Sequence, residues 1–344
     1  MTLSLYLDTD RWRTHQQSVQ AEFANLVPVA KGNGYGLENR RLAAEAARLG
    51  TKLLAVGTPH EAAEAACWYG GELLVLTPYR IGEDAPPLPR EVIRTVANIE
   101  ALSALPNGSR VVIECATSMK RHGIALTELP VLPGVLNGLQ VKGFALHLPL
   151  DRPDNSDPVE EAAHTVDAIA AARLPIGEIF VSHLSPADLA RLADRCPDTV
   201  FHSRIGTRLW LGDVGALGAR ATVLDVTPLA KGERYGYRQH KAPSDGHLLV
   251  VSGGTAHGIG LEAPKYVHGL LPRAKGIARA GLATVNRSLS PYSWQDRQLW
   301  FAEPPHMQVS VLFLPRDTKP PAIGDELPLH VRHTTTRFDR VVDR

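Results

Sequence analysis

Hydrophobic and polar positions fall into two textures along this chain. Up to about residue 218, short apolar runs alternate with stretches whose apolar residues recur at helical spacing. The runs at 27–30, 53–57, 73–76, 95–97, 111–115, 141–147, 179–182 and 201–204 have the continuous character of buried strands. Stretches 40–49, 59–68, 157–172 and 187–195 carry the helical pattern, and Pro59 and Pro186 suit first turns. About eight strand–helix repeats in this length predict a TIM (β/α)8 barrel. A doubly wound sheet is the rival, but it does not usually need so many repeats. Further on, glycine, proline and β-branched residues rise, and period-two runs at 247–251, 308–313 and 327–331 predict strands. The expected fold class is α/β: an N-terminal (β/α)8 barrel over residues 1–218, whose first few residues are free to join the second domain, then a C-terminal all-β domain over 219–344.

Composition narrows the function. The 344 residues are 44% hydrophobic and 21% charged, enough for two globular domains. A net charge of +1 gives no field to draw nucleic acid or a membrane surface, and no apolar run reaches the length of a membrane span. Three cysteines (Cys67, Cys115 and Cys196) are odd in number and sparse, which suits a reducing cytoplasm and fits no zinc spacing. Residues 1–12 lack the apolar core of a signal peptide. His330 and His333 do not make a metal pair if they lie on a strand, where residues three apart face opposite sides. No metal is expected.

Candidate chemistry concentrates at Val27-Pro28-Val29-Ala30-Lys31-Gly32-Asn33-Gly34-Tyr35-Gly36. A lysine ending a buried strand keeps its stem in apolar surroundings and its amine at a mouth. Desolvation lowers the amine's pKa, as a nucleophilic or Schiff-base lysine requires. The glycines allow close backbone approach to a ligand. A surface lysine before a flexible loop is the plainer alternative. The spacing G-x-G-x-G is not the dinucleotide fingerprint.

Ala30-Lys31-Gly32-Asn33-Gly34-Tyr35-Gly36 resembles the V-K-A-D/N-A-Y-G-H-G signature of alanine racemases, with Leu37 where that family has its histidine. The resemblance implies that Lys31 holds pyridoxal 5'-phosphate (PLP) covalently and that Tyr35 touches its phosphate. Phe144-Ala145-Leu146-His147 is similar to G-L-x-T-H, whose histidine stacks on the PLP ring. Ser182-His183-Leu184-Ser185 resembles H-x-A-N-S, and Phe201-His202-Ser203-Arg204-Ile205-Gly206-Thr207 resembles R-x-G-I/L-x-x-Y-G. These imply Ser185, Gly206 and Thr207 as phosphate ligands. Loops after barrel strands seven and eight commonly take that role. Arg204 would face the pyridine nitrogen; an arginine does not give up its proton, which favours racemase chemistry over decarboxylation.

Val112-Ile113-Glu114-Cys115-Ala116-Thr117-Ser118-Met119-Lys120-Arg121-His122-Gly123 resembles K-V-D-T-G-M-x-R-x-G. Arg121 would then contact the PLP phenolic oxygen and the substrate carboxylate. Glu114 stands where many members carry a carbamylated lysine, and would supply the orienting carboxylate itself.

The second half departs further. Val251-Ser252-Gly253-Gly254-Thr255-Ala256-His257-Gly258 resembles V-G-Y-A-D-G-Y, whose tyrosine is the second catalytic base, serving the partner subunit. Thr255 holds the tyrosine's place and His257 the aspartate's, so His257, or a water held by Thr255, is the candidate second base; a glycine-rich turn is the alternative. Pro304-Pro305-His306-Met307-Gln308 resembles x-V-x-M-D-Q, implying substrate carboxylate at the Met307 backbone. Thr334-Thr335-Thr336-Arg337 resembles T-x-x-Y-R, with Thr336 at a phosphate-binding tyrosine, and Tyr237 matches a tyrosine at the family's active-site entrance. The resemblance implies a PLP-dependent amino-acid racemase with an amino-acid substrate, acting as a homodimer with shared sites. Its alternatives are another PLP enzyme of this scaffold, a decarboxylase or one-base lyase, or a non-catalytic PLP-binding protein.

Overall fold

The computed structural model describes residues 2–153, 156–175, 177–261 and 288–344. The chain divides into two compact units, one of Arg13–Gly212 and one of Met1–Trp12 with Asp213–Arg344. Strand β1 (Leu3–Leu7) and helix α1 (Thr9–Glu22) come first. Eight parallel strands then close a barrel: β2 (Leu26–Ala30), β3 (Leu53–Val56), β4 (Glu72–Val75), β5 (Val92–Val96), β6 (Arg110–Cys115), β7 (Gln140–His147), β8 (Glu178–Ser182) and β9 (Val200–Ile205). Strand β9 returns to pair with β2. Helices α2 (Asn39–Arg48), α3 (Pro59–Ala65), α4 (Ile99–Ala104), α5 (Leu132–Val135), α6 (Pro158–Ala171), α7 (Pro186–Arg195) and α8 (Thr207–Leu211) lie between or after the strands. The expected (β/α)8 barrel is present.

The run expected at 95–97 is displaced: its strand begins at Val92. Arg94 interrupts the apolar pattern without ending the strand, because its guanidinium pairs with Glu83 and lies 4.9 Å over the Tyr79 ring. No helix among the described residues is long and apolar enough to cross a membrane.

Alternation along each strand decides what the barrel encloses. Val27 and Val29, Ala55, Leu74, Ile93, Val112, Ala145 and Phe180 form one buried interior cluster, with residues from β2 to β8. His202 of β9 stacks on Phe180, centroids 4.9 Å apart. Inward-facing positions recur every two residues. Two steps toward the C-terminal ends stand Lys31, Gly57, Leu76, Thr95, Glu114, His147, Ser182 and Arg204. The apolar and aromatic interior below thus gives way to a mouth rich in polar side chains. A second cluster, including Phe144, Leu146, Ile179, Val181, Val166, Ile169 and Leu192, fills the space between the strands' outer face and the helices.

The other unit is all-β, as expected. Its remaining strands are β10 (Leu217–Leu229), the short hairpin β11 (Arg234–Tyr235) and β12 (His240–Lys241), then β13 (Gly246–Ser252), β14 (Leu289–Trp294), β15 (Arg297–Phe301), β16 (Val309–Pro315), β17 (Glu326–Pro328) and β18 (Arg340–Asp343). The main sheet runs β14-β15-β16-β13-β10-β1-β18, with β17 on β10. The amino-terminal strand β1 is therefore built into this sheet, antiparallel to β10 and parallel to β18. The run expected at 327–331 forms a strand only to Pro328, since a proline lacks the donor to continue a ladder. His330 and His333 therefore lie off the strand, and the two-face argument about them does not apply.

One glycine is required by barrel closure. Between β6 and β7 the register passes from Val111↔Val141 to Val112↔Gly143, leaving Lys142 as a bulge. Gly143 has φ +145°, and a Cβ there would stand 2.1 Å from the Glu178 carbonyl oxygen of β8. Gly143→Ala is expected to lower stability by about 2 kcal/mol. Urea unfolding checks this; a wild-type midpoint would refute it.

Candidate active site

The barrel mouth is assembled around Lys31. Its side chain is exposed, while Gly57 on the neighbouring strand leaves room beside its Cβ: a Cβ on Gly57 would come within 3.1 Å. Glu61 fixes the loop that follows. Thr58 accepts from the Glu61 N–H in a capping box opening α3. The Glu61 carboxylate in turn accepts from Gly32 N–H (2.8 Å), Gly57 N–H (2.6 Å) and Thr58 N–H (3.1 Å). Partial burial lowers the Lys31 amine below its ordinary pKa, the charges of Arg121 and then Arg204 lower it further, and Glu61 opposes them.

Arg204 is buried beneath the mouth. One terminal nitrogen donates to the Leu146 carbonyl at 2.9 Å, and the other lies 3.9 Å from Glu114. Its Nε has no hydrogen-bond partner among the described residues. Glu114 is only 3% exposed and also lies 3.9 Å from Arg121. Burial raises the Glu114 pKa, while Arg204, Arg121 and His122 pull against that. Arg121 reaches the site from the loop after β6. That loop folds back tightly: Ala116 N–H donates to Ile124 O, and Thr117 Oγ1 donates to His147 O at 2.7 Å.

His147 ends β7 and shares a 2.9 Å hydrogen bond between its Nδ1 and Ser182 Oγ. The His183 ring meets it edge-on at 5.1 Å. Burial, then Arg121, Arg204, His183 and Lys31, depress the His147 pKa to about 3. His147 is thus neutral at physiological pH, a flat uncharged ring between cations.

Across the mouth the buried Tyr35 sits at φ +57°. A Cβ on Gly206 would stand 2.0 Å from the Tyr35 hydroxyl, so only glycine lets the phenol reach this loop. Burial and Glu61 push the phenol up to about 12, which keeps it a donor. Gly206 precedes α8, whose first residue is the exposed Thr207.

The structure thus brings together Lys31, Tyr35, Glu114, Arg121, His147, Arg204 and Gly206. Ser185 is differently employed. It caps α7, its hydroxyl donating to Asp188 Oδ2 at 2.6 Å and accepting from the Asp188 N–H. A carboxylate thus already occupies it.

In the all-β unit the expectations separate. Thr255 and Met307 line a cleft of about 410 Å³ together with Tyr237, Glu303 and His306. His257 is elsewhere. It is 7% exposed, with Nδ1 accepting from Gly254 N–H (3.2 Å) and Nε2 on Asp339 (3.1 Å), so both ring nitrogens are occupied. Thr336 is 1% exposed and its hydroxyl donates to the Arg332 carbonyl. Neither presents a polar atom to a ligand in this arrangement.

Sequence reasoning missed Glu61, His183, and the pair Glu303 and His306. Glu61 was legible in the capping pattern Thr58-x-x-Glu61. The others carry no local signal.

A closed (β/α)8 barrel with a lysine-centred mouth, followed in sequence by an all-β unit, defines a barrel enzyme architecture shared with known racemases. Residues 7–212 match the model of the alanine racemase N-terminal domain, and the chain belongs to the alanine racemase family. Curated proteins return no match. Solved structures do. The alanine racemase of Clostridium difficile 630 aligns over 100% of this chain and 96% of its own, at 14% identity and TM-score 0.71. The Bartonella henselae alanine racemase with covalently bound pyridoxal phosphate aligns over 97% and 91%, at 16% identity and TM-score 0.70. That from D-cycloserine-producing Streptomyces lavendulae aligns over 100% and 97%, at 18% identity and TM-score 0.68.

The depressed His147 pKa has a consequence for stability. The folded state holds the ring neutral, so its contribution is fully present above the ordinary value of 6.5 and is lost as pH falls toward about 3. His147→Asn is expected to flatten the decline of stability over this window by up to about one proton. Urea titrations at several pH values check this; parallel wild-type and variant profiles would contradict it.

Proposed function

We propose that the protein is a PLP-dependent amino-acid racemase. The observation that carries this reading is the convergence of Lys31, His147, Arg204, Glu114 and Arg121 at the strand ends of one barrel, beside the phenol of Tyr35. The residues fit the coenzyme on three grounds. The buried Arg204 Nε lacks an acceptor, as a hydrogen bond to a ring nitrogen would supply. A Cβ on Gly206 would stand 2.0 Å from the Tyr35 hydroxyl, so the glycine lets a phenol donor reach this loop. Lys31, Arg121 and Arg204 bring positive charge to the mouth, which suits an anionic coenzyme.

In this reading Lys31 Nζ holds the coenzyme covalently. Tyr35, Gly206 and Thr207 bind its phosphate, and neutral His147 lies against its ring. Arg204 hydrogen-bonds its nitrogen without giving up a proton. When bound, the coenzyme draws off the electron pair left at Cα after proton loss. Arg121 orients the substrate carboxylate, and Glu114 holds Arg121 in place by its own carboxylate. Lys31 would be freed from the coenzyme when the substrate amine takes its place, and its amine, lowered by burial and two arginines, would then take or return the Cα proton on one face.

Inversion needs a second group on the opposite face. The resemblance assigns that duty to the all-β unit of a partner chain, which makes the active form a homodimer. Thr255 is smaller than the tyrosine at that place in the family, so the substrate need not be alanine. Three sparse cysteines, odd in number, suit the reducing cytoplasm in which we place this enzyme.

Borohydride treatment of the PLP-loaded protein is expected to fix the coenzyme on the Lys31 peptide by mass spectrometry, and Lys31→Ala to abolish that adduct. Single enantiomers in deuterated water should gain deuterium at Cα with inversion. Lys31→Ala should slow this by about 10²–10⁴-fold. Carbon dioxide release in place of exchange would favour a decarboxylase and overturn the reading.

A further inference from the structure

Racemisation needs proton removal on one face of Cα and delivery on the other. Lys31 serves one face only. In the all-β unit the tyrosine position is Thr255, whose hydroxyl is too weak an acid and base to exchange protons unaided near neutral pH. His257 is enclosed, with both nitrogens engaged. The cleft at Thr255 does hold another imidazole, that of His306.

The geometry around His306 is built and not incidental. Glu303, 8% exposed, stands behind it: one carboxylate oxygen lies 2.9 Å from His306 Nε2, and the other accepts from Tyr237 N–H at 2.9 Å. A carboxylate here accepts, so Nε2 carries the ring proton and Nδ1 carries the lone pair. Nδ1 has no hydrogen-bond partner among the described residues, and the side chain is 26% exposed. The backbone is equally fixed. Thr255 N–H donates to His306 O (2.8 Å), Ala256 N–H to Met307 O (3.0 Å) and His306 N–H to Val309 O (2.9 Å). A Cβ on Gly254 would stand 2.1 Å from His306 O, so that glycine permits the approach. The Tyr237 ring covers the imidazole, centroids 4.7 Å apart.

We infer that His306, oriented by Glu303, is the second proton-transfer group, taking over the duty of the tyrosine that Thr255 replaces. The inference rests on the racemase reading above. In one direction the Cα–H bond breaks, its electron pair stays at carbon, and the proton forms an N–H bond with the Nδ1 lone pair. Lys31 Nζ delivers a proton to the opposite face. In the reverse direction the Nδ1–H bond breaks and its proton goes to Cα. Thr255, lacking a ring, leaves space for the imidazole to work in.

Two measurements test this. First, ¹⁵N NMR of the coenzyme-free protein is expected to show His306 as the Nε2–H tautomer, with that preference lost in Glu303→Gln. An Nδ1–H tautomer would overturn the assignment. Second, the PLP-loaded wild type and the His306→Gln and Tyr237→Phe variants are given one enantiomer in deuterated water. His306→Gln should lose inversion by about 10²–10⁴-fold while still gaining deuterium with retention, and added imidazole should restore part of the loss. Its loss should exceed that of Tyr237→Phe at least tenfold. Inversion at the wild-type rate in His306→Gln, or a larger loss in Tyr237→Phe, would refute His306 alone. A wild type that exchanges no amino acid would instead bring down the racemase reading, and this proposal with it.

Discussion

A guanidinium buried at the end of the last barrel strand governs the electrostatics of the barrel mouth. Arg204 has one backbone acceptor, Leu146 O, and one carboxylate at 3.9 Å, Glu114. That is sparse compensation for a charge removed from water, which ordinarily demands pairing and full hydrogen bonding. The charge is felt by its neighbours. Burial is the largest cause of the depressed His147 and His183 and of the lowered Lys31 amine; Arg121 and Arg204 add to it at all three, Arg204 leading at His183. Without Glu114 two arginines and a lysine would share one mouth unopposed from below. A carboxylate there at 3% exposure is tolerated because it faces both guanidinium groups, and it is stabilised in its charged form by them against its own burial.

The same mouth explains why the flanking elements have their particular shape. Glu61 accepts from three backbone N–H groups belonging to the ends of β2 and β3, so the residues after Lys31 cannot swing away. Tyr35 accepts a left-handed backbone so that its phenol reaches Gly206. Trp210 Nε1 donates to Val29 O at 2.8 Å, locking α8 to the strand that carries the lysine. Rotamer freedom is removed around the reactive groups by such outer contacts, which is what positions a site to within the tolerance that catalysis needs.

Much of this was legible in the chain. Strand positions follow from apolar runs, and the inward-facing mouth follows by counting in twos from the enclosed residues. Once the structure identifies the enclosed residues, the count reaches Lys31, Glu114, His147 and Arg204, whereas from the chain alone Lys31 stood out as a strand-end lysine and the other three by resemblance to the family's motifs. The capping residue Glu61 was visible as well. What escaped depends on contacts between distant segments or on competing local bonds. Ser185 looks like a ligand by pattern, yet Asp188 three residues on makes it a helix cap. Thr336 and His257 resemble functional positions by pattern but turn inward where two backbones meet: Arg337 N–H donates to His257 O at 3.2 Å, and a Cβ on Gly258 would stand 2.3 Å from Thr335 O. His306 and Thr255 are far apart in sequence and are joined only by a backbone hydrogen bond. No periodicity foretells that.

If His306 has the role proposed for it, a threonine where alanine racemases carry their tyrosine marks a change of proton carrier and not its loss. A phenol and a carboxylate-backed imidazole solve the same physical problem differently. The phenol has a high intrinsic pKa and needs nearby cations to lose its proton. The imidazole has a ring nitrogen that can take or give a proton once it is held in one tautomer. A buried glutamate accepting from Nε2 does that holding, and the second oxygen of that glutamate is occupied by Tyr237 N–H, so the carboxylate cannot rotate away. Under the proposed reading the barrel unit, which resembles the family at Lys31, His147 and Arg204, and the β unit, which departs from it at Thr255 and Thr336, each supply a proton-transfer group.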